Sequence, residues 1–136
     1  MNAQDLIDIE EIKQLKAKYF RLMDTKQWDD WVALFSETCE AIYEGYEPKR
    51  GGAEIVDFVR GMLDTGVTVH FGHMAEVVVT DSRSATGVWS MSDYLDCPGT
   101  LQLRGYGHYH DEFVKDDSGT WRIDRLQLVR LRIDQT

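Results

Sequence analysis

Asp24, four histidines and a set of tyrosines are the residues here whose types could carry acid–base chemistry. Asp24 stands where a first helix should end, beside Met23 and four residues before Trp28. A carboxylate is mildly unfavourable at that negative helix end. Two roles are open to it: capping a second helix, or orienting a histidine, the side chain that exchanges protons near neutral pH. His70 and His73 lie in the otherwise apolar Val69-His70-Phe71-Gly72-His73-Met74. Strand alternation puts them on opposite faces unless Gly72 makes a bulge, so at most one of them enters an interior cavity.

The segment from Gly105 to Glu112 is denser, with His108 and His110 sharing one face and Tyr109 and Asp111 the other. It reads either as a polar edge or interface strand or as part of a site. Tyr19 and Tyr43 could each project a hydroxyl into a cavity or simply fill the core. Arg130, inside Leu128-Val129-Arg130-Leu131, is a charge in an apolar strand. It needs a carboxylate or a substrate oxygen as partner.

The elements that must position these groups follow from periodicity. Ile12, Leu15, Tyr19 and Leu22/Met23 recur at three- and four-residue steps and predict a helix over about residues 5–23. A second, short helix is expected over 28–36, with Trp31, Leu34 and Phe35 as its apolar side. A third is expected over 53–63, preceded by Gly51-Gly52 and followed by Gly66. A short strand at 39–45 lies between the second and third helices. From Val67 the pattern alternates, predicting strands near 68–80, 85–95, 101–115 and 120–133, separated by turn-forming stretches. Helices first and long strands afterwards point to an α+β domain. Strands of this length must curve, and helices laid across the concave side would enclose a cone-shaped cavity.

Composition narrows the function classes. With 136 residues, 43% apolar and 11% aromatic, the chain reads as a single globular domain over residues 1–136. A net charge of -9 argues against nucleic acid and against an anionic membrane surface. A neutral or cationic small molecule, or another protein, is the better partner. No apolar run approaches the roughly 20 residues of a membrane span, and the acidic N-terminus is unlike a signal peptide. Cys39 and Cys97 match no zinc-ligand spacing and read as reduced packing cysteines of a cytoplasmic protein.

The run from Asp8 to Arg21, followed by Asp24 and Trp28-Asp29, resembles the opening of SnoaL-like (nuclear transport factor 2-like) proteins. The resemblance continues through His70-Phe71-Gly72-His73, residues 85–89, Tyr109-His110-Asp111, Gly119-Thr120-Trp121 and Val129-Arg130, and so spans nearly the whole chain. It implies a cystatin-like, cone-shaped α+β barrel: a curved antiparallel sheet wrapped on N-terminal helices around an apolar pocket. Relatives of this shape include bile-acid dehydratase, scytalone dehydratase and hexachlorocyclohexane dehydrochlorinase, which eliminate a leaving group without a cofactor. The functional tyrosine, aspartate, histidine and arginine of the first match Tyr19, Asp24, His70 and Arg130. In scytalone dehydratase the aspartate matches Asp24, a tyrosine Tyr43, and two histidines His70 and His108, while Met23 replaces a second tyrosine.

The resemblance therefore implies a dehydratase-type lyase acting on a small, largely apolar cyclic hydroxy-ketone. Asp24 would orient His70 or His108 as base, Tyr19 and Tyr43 would donate hydrogen bonds, and Arg130, Met23 and Trp31 would contact substrate. No metal and no cofactor is expected, and the relatives' association implies a trimer or dimer. Three alternatives stay open: a ketosteroid-isomerase-like proton transfer, a non-catalytic binding or subunit-interaction domain, and a metal site built from His70, His108, His110 and Glu112.

Overall fold

Asn2 starts the first helix. Its side chain accepts the Asp5 N–H at 2.8 Å while the Asp5 carboxylate accepts the Asn2 N–H at 3.2 Å, so two of the free donors at the helix start are satisfied reciprocally. In the computed structural model, which describes residues 1–135, this helix, α1, runs Ala3–Asp24. Ile12, Leu15, Tyr19, Phe20 and Met23 form its buried face. Lys26, left-handed at φ 60, stops it directly after Asp24, and the Gln27 N–H returns to the Leu22 carbonyl at 2.9 Å.

Helix α2, Trp28–Val32, is shorter than its apolar side predicts. Phe35, in helical phase with Trp31, and Ser36 after it instead open strand β1, Phe35–Tyr43. The Ile123 N–H donates to the Leu34 carbonyl at 2.9 Å, so pairing with the last strand wins over helix extension. A two-residue strand, β2 (Lys49–Arg50), was not foreseen; helix α3 follows as Gly51–Leu63, taking in the two glycines expected to precede it.

The long strands are β3 (Val67–Asp81), β4 (Ser84–Cys97), β5 (Leu101–Lys115) and β6 (Trp121–Gln135). They form one curved six-stranded sheet in the order β2-β1-β6-β5-β4-β3. The expected antiparallel sheet is in fact mixed, because β1 runs parallel to β6. Helix α1 packs on β3 and β6 and α3 on β1, closing the inner face. Among the described residues no helix is long and apolar enough to cross a membrane.

The inner positions of β4, β5 and β6 supply Trp89, Met91, Phe113, Ile123 and Leu126 to one core with α1. Two charged pairs are set against it, one half-buried and one fully buried. Asp8 bonds Lys115 at 2.9 Å and accepts the Trp121 indole N–H at 3.1 Å. Lys16 Nζ lies 2.7 Å from Asp111 Oδ2, and 3.8 and 4.1 Å from the ring centres of Tyr109 and Tyr19. Cys39 and Cys97 are free and buried, and burial pushes both thiols up.

Candidate functional site

A cavity of about 340 Å³ lies between α1, α3 and the inner face of the sheet. Met23, Phe58, Met62, Leu95, Leu103 and Leu128 give it apolar walls, and His70, Asp93, Tyr109, Arg130, Tyr43 and Glu44 supply its polar groups.

Strand register builds the polar row. His70 on β3 pairs across the ladder with Asp93 on β4, and Asp93 with Gly105 on β5. Arg130 on β6 stands opposite Gly107. Alternation from Leu128 puts Arg130 on the inner side, and a bulge just after it, where Gly107 pairs with Arg130 but Tyr106 with Arg132, leaves Leu131 exposed and turns Ile133 to the cavity. The guanidinium then crosses β5 to Asp93, donating from Nη1 at 3.0 Å and from Nη2 at 2.9 Å. Burial works against the Arg130 charge, but the Asp93 hydrogen bonds and charge outweigh it and hold its pKa above the ordinary value.

Asp24 reaches this row from the end of α1. Its Oδ1 lies 2.6 Å from His70 Nδ1 and accepts the Thr68 hydroxyl at 3.0 Å, while Oδ2 accepts the His70 backbone N–H at 2.7 Å. Both oxygens act as acceptors, so a ring proton sits on Nδ1, and in the neutral imidazole Nε2 carries the lone pair. Among the described residues the nearest carboxylate to Nε2 is Asp93, with Oδ2 at 3.8 Å. Asp24 does not cap α2, which starts at Gln27 without a side-chain bond.

Three tyrosines form the second polar group. Tyr19 Oη contacts Tyr43 Oη at 2.7 Å and Tyr109 Oη at 3.3 Å. Burial pushes all three phenols well up, so each keeps its proton at neutral pH. Three protons shared over two contacts leave one O–H, and when Tyr19 donates into either contact the spare O–H belongs to Tyr43 or Tyr109, both of which line the cavity.

The residues singled out from sequence divide cleanly. His70, Tyr43, Met23 and Arg130 come together at the cavity wall, with Asp24 bonded to His70 from behind. Tyr19 lies directly behind it, fully buried, and acts only through Tyr43 and Tyr109. Trp31 does not reach it; its ring is fully buried against Tyr19 and Phe35, and its N–H donates to the Tyr19 carbonyl at 3.0 Å. His108 is turned away, because Gly107 and Tyr109 hold the inner positions of β5. His110 and Glu112 share that outer face, so they do not converge with His70 on a metal. Of the first histidine pair His70 is the one that faces in, while His73 is exposed and bonds Ser92 at 3.1 Å.

Asp93 and Tyr109 were missed as site residues. Asp93 is in phase with Trp89, Met91 and Leu95, the inner residues of β4, and Tyr109 with Leu103 and Phe113 on β5. An acid in phase with an apolar stripe was the available signal.

The profile of the SnoaL-like domain family matches residues 4–127. Among curated proteins, the probable cyclase FGR4 of Gibberella zeae is 24% identical, over 88% of this chain and 89% of that protein. A scytalone dehydratase candidate from Novosphingobium aromaticivorans superposes with a TM-score of 0.86 at 21% identity, covering 96% of this chain and 89% of its own. The hexachlorocyclohexane dehydrochlorinase LinA-type3 of Novosphingobium barchaimii gives a TM-score of 0.86 at 16% identity, covering 96% and 91%. At these identities the two structures establish the shared fold.

Proposed function

The chain belongs to the SnoaL-like domain family, and from that premise we propose that it is a cofactor-independent lyase of dehydratase type. Its substrate is a small, largely apolar cyclic hydroxy-ketone. The observation that carries the reading is the Asp24–His70 pair: Nδ1 is anchored at 2.6 Å, and Nε2 belongs to a residue lining an apolar cavity. The dehydratase and dehydrochlorinase names among the structural relatives support an elimination.

On a β-hydroxy-ketone, His70 Nε2 takes the proton from the carbon between the carbonyl and the carbinol. The C–H electron pair passes into an enolate, whose oxygen accepts the free tyrosine O–H and one of the Arg130 N–H groups not engaged by Asp93. Asp24 stabilises the imidazolium that forms. When the enolate collapses, the carbon–carbon double bond forms and the carbon–oxygen bond at the carbinol breaks. The departing hydroxide takes the proton back from His70, giving water and a conjugated ketone. A positioned base of this kind contributes about 10²–10⁴-fold.

The test is a screen of the wild type and His70→Ala against steroid-like and polyketide-like cyclic β-hydroxy-ketones, read as appearance of the conjugated-ketone absorbance. The chromophore forms with the wild type and not with the variant. If both proteins bind the compounds equally and neither converts them, the cavity is a binding site and the lyase reading fails. A shift of a double bond without loss of water would instead identify an isomerase.

The outer face of the sheet supports self-association. Phe71, Val78, Tyr94, Tyr106 and Val129 are exposed there across four strands. We propose a homo-oligomer, trimer or dimer, formed through this face. Sedimentation velocity giving only monomer at micromolar concentration would overturn it.

A further inference from the structure

The Asp93 side chain is 1% exposed and occupies both Arg130 Nη groups from inside the cavity. The contact spans a whole intervening strand, and two glycines make room for it. A Cβ on Gly105 would collide with Arg130 Nη1 and Asp93 Oδ1, and one on Gly107 would strike the backbone of β6. The other acids nearby leave the fork filled: Asp24 stands behind His70 and is committed to it, and Glu44, at the wall, accepts the Arg130 backbone N–H at 3.2 Å. An arginine that would otherwise receive a carboxylate with two parallel N–H groups thus has that fork filled. Its other N–H groups still serve a neutral oxygen.

We propose that Asp93 is a specificity-determining residue: by neutralising Arg130 it makes the cavity accept uncharged carbonyl or hydroxyl rings and refuse carboxylates of the same shape. The inference rests on the cavity being the ligand site and names the substrate class that site takes. A carboxylate entering it would lose water among apolar walls and meet Asp93 and Glu44, with no lysine or arginine among the described lining residues other than the paired Arg130.

Titration with 2-naphthol and 2-naphthoate, followed by ligand fluorescence at neutral pH, tests this. The wild type binds naphthol and takes naphthoate about a hundredfold or more weakly. Asp93→Asn keeps the side-chain shape and frees the Arg130 charge, so naphthoate tightens by about tenfold or more while naphthol changes by less than about threefold. Adding Arg130→Gln to Asp93→Asn abolishes that gain. Arg130→Gln alone exposes the Asp93 charge and makes 2-naphthylmethylammonium a better ligand than in the wild type, which keeps the question decidable should Asp93→Asn not fold. Equal wild-type affinity for naphthol and naphthoate, or no naphthoate gain in Asp93→Asn, overturns the specificity role and leaves the ligand cavity standing. Failure of all three probes to bind the wild type overturns the ligand-site reading and the specificity role with it.

Discussion

Replacing Lys16 with methionine keeps the length and most of the apolar stem of the side chain but removes the ammonium that faces Asp111. Both side chains have 0% exposure, and the charged atoms are 2.7 Å apart. Burial pulls the Lys16 pKa down and pushes the Asp111 pKa up, with their mutual attraction opposing both shifts. Removing one partner of such a pair costs about 3–5 kcal/mol, because the other charge is left buried and alone. The lost contacts with the faces of Tyr109 and Tyr19 fall within that range. For a domain of this size the melting temperature drops by roughly 10–20 °C. A Lys16→Met/Asp111→Leu double variant removes both charges and should return to within about 2 kcal/mol of the wild type. The sign with pH is fixed as well. A lone Asp111, with its folded pKa raised, leaves the single variant least impaired below the ordinary value of 3.8. Its deficit deepens as pH rises through the folded pKa. Urea denaturation followed by circular dichroism, at neutral and at acidic pH, reads all of this. A single variant within about 1 kcal/mol of wild type at neutral pH, or a double variant no better than the single, would refute the ion pair.

Tyr109→Phe keeps the ring under Lys16 and deletes a hydroxyl at the cavity; kcat should fall about 10²-fold with little change in melting temperature, and an unchanged kcat removes Tyr109 from the donor group. Asp24→Asn keeps the shape of the carboxylate but upsets the His70 tautomer, so turnover should fall about 10²–10⁴-fold; a rate near wild type would mean that His70 needs no anionic partner. Asp116, in the turn between β5 and β6, is held down to about 2 by the Ser118 hydroxyl first and then by the Thr120 and Ser118 N–H groups and Arg122. Its lowered pKa supports the fold above the ordinary 3.8, and that support is lost as pH falls through about 2. In thermal melts the gap between wild type and Asp116→Asn should therefore close across that window, and a gap independent of pH would reject the titration.

Elements whose residues repeat in phase were legible in the sequence. The apolar stripe of α1 and the alternation of β3 to β6 gave their extents to within two residues at most ends. Helix α2 was read too long because Phe35 is in helical phase with Trp31, and only the parallel pairing with β6 draws it into a strand. The two residues of β2 carry no periodic signal at all. At the site, Asp24, His70 and Arg130 stood out because each is polar among apolar neighbours. His108 stood out in a dense polar segment and took its role as a base from the family resemblance, against its own strand: Leu103, Tyr109 and Phe113 mark the inner phase of β5, and His108 lies in the other. Asp93 was not singled out, and Asp111 was named only for the face it shares with Tyr109. Their partners, Arg130 and Lys16, lie 37 and 95 positions away in the chain and meet them only in the folded protein. Trp31 sits on the apolar side of α2, and that side faces the core and not the cavity.

Proton removal from carbon by His70 can be measured apart from any leaving group. Cyclic ketones of cavity size, incubated in deuterated water, exchange the hydrogens beside the carbonyl when a positioned base acts on them, and proton NMR follows the loss of signal. The wild type should accelerate this exchange well above the rate in buffer, and His70→Gln should return it to the buffer rate. A wild type no faster than buffer, or a His70→Gln variant as fast as the wild type, would contradict His70 as the base.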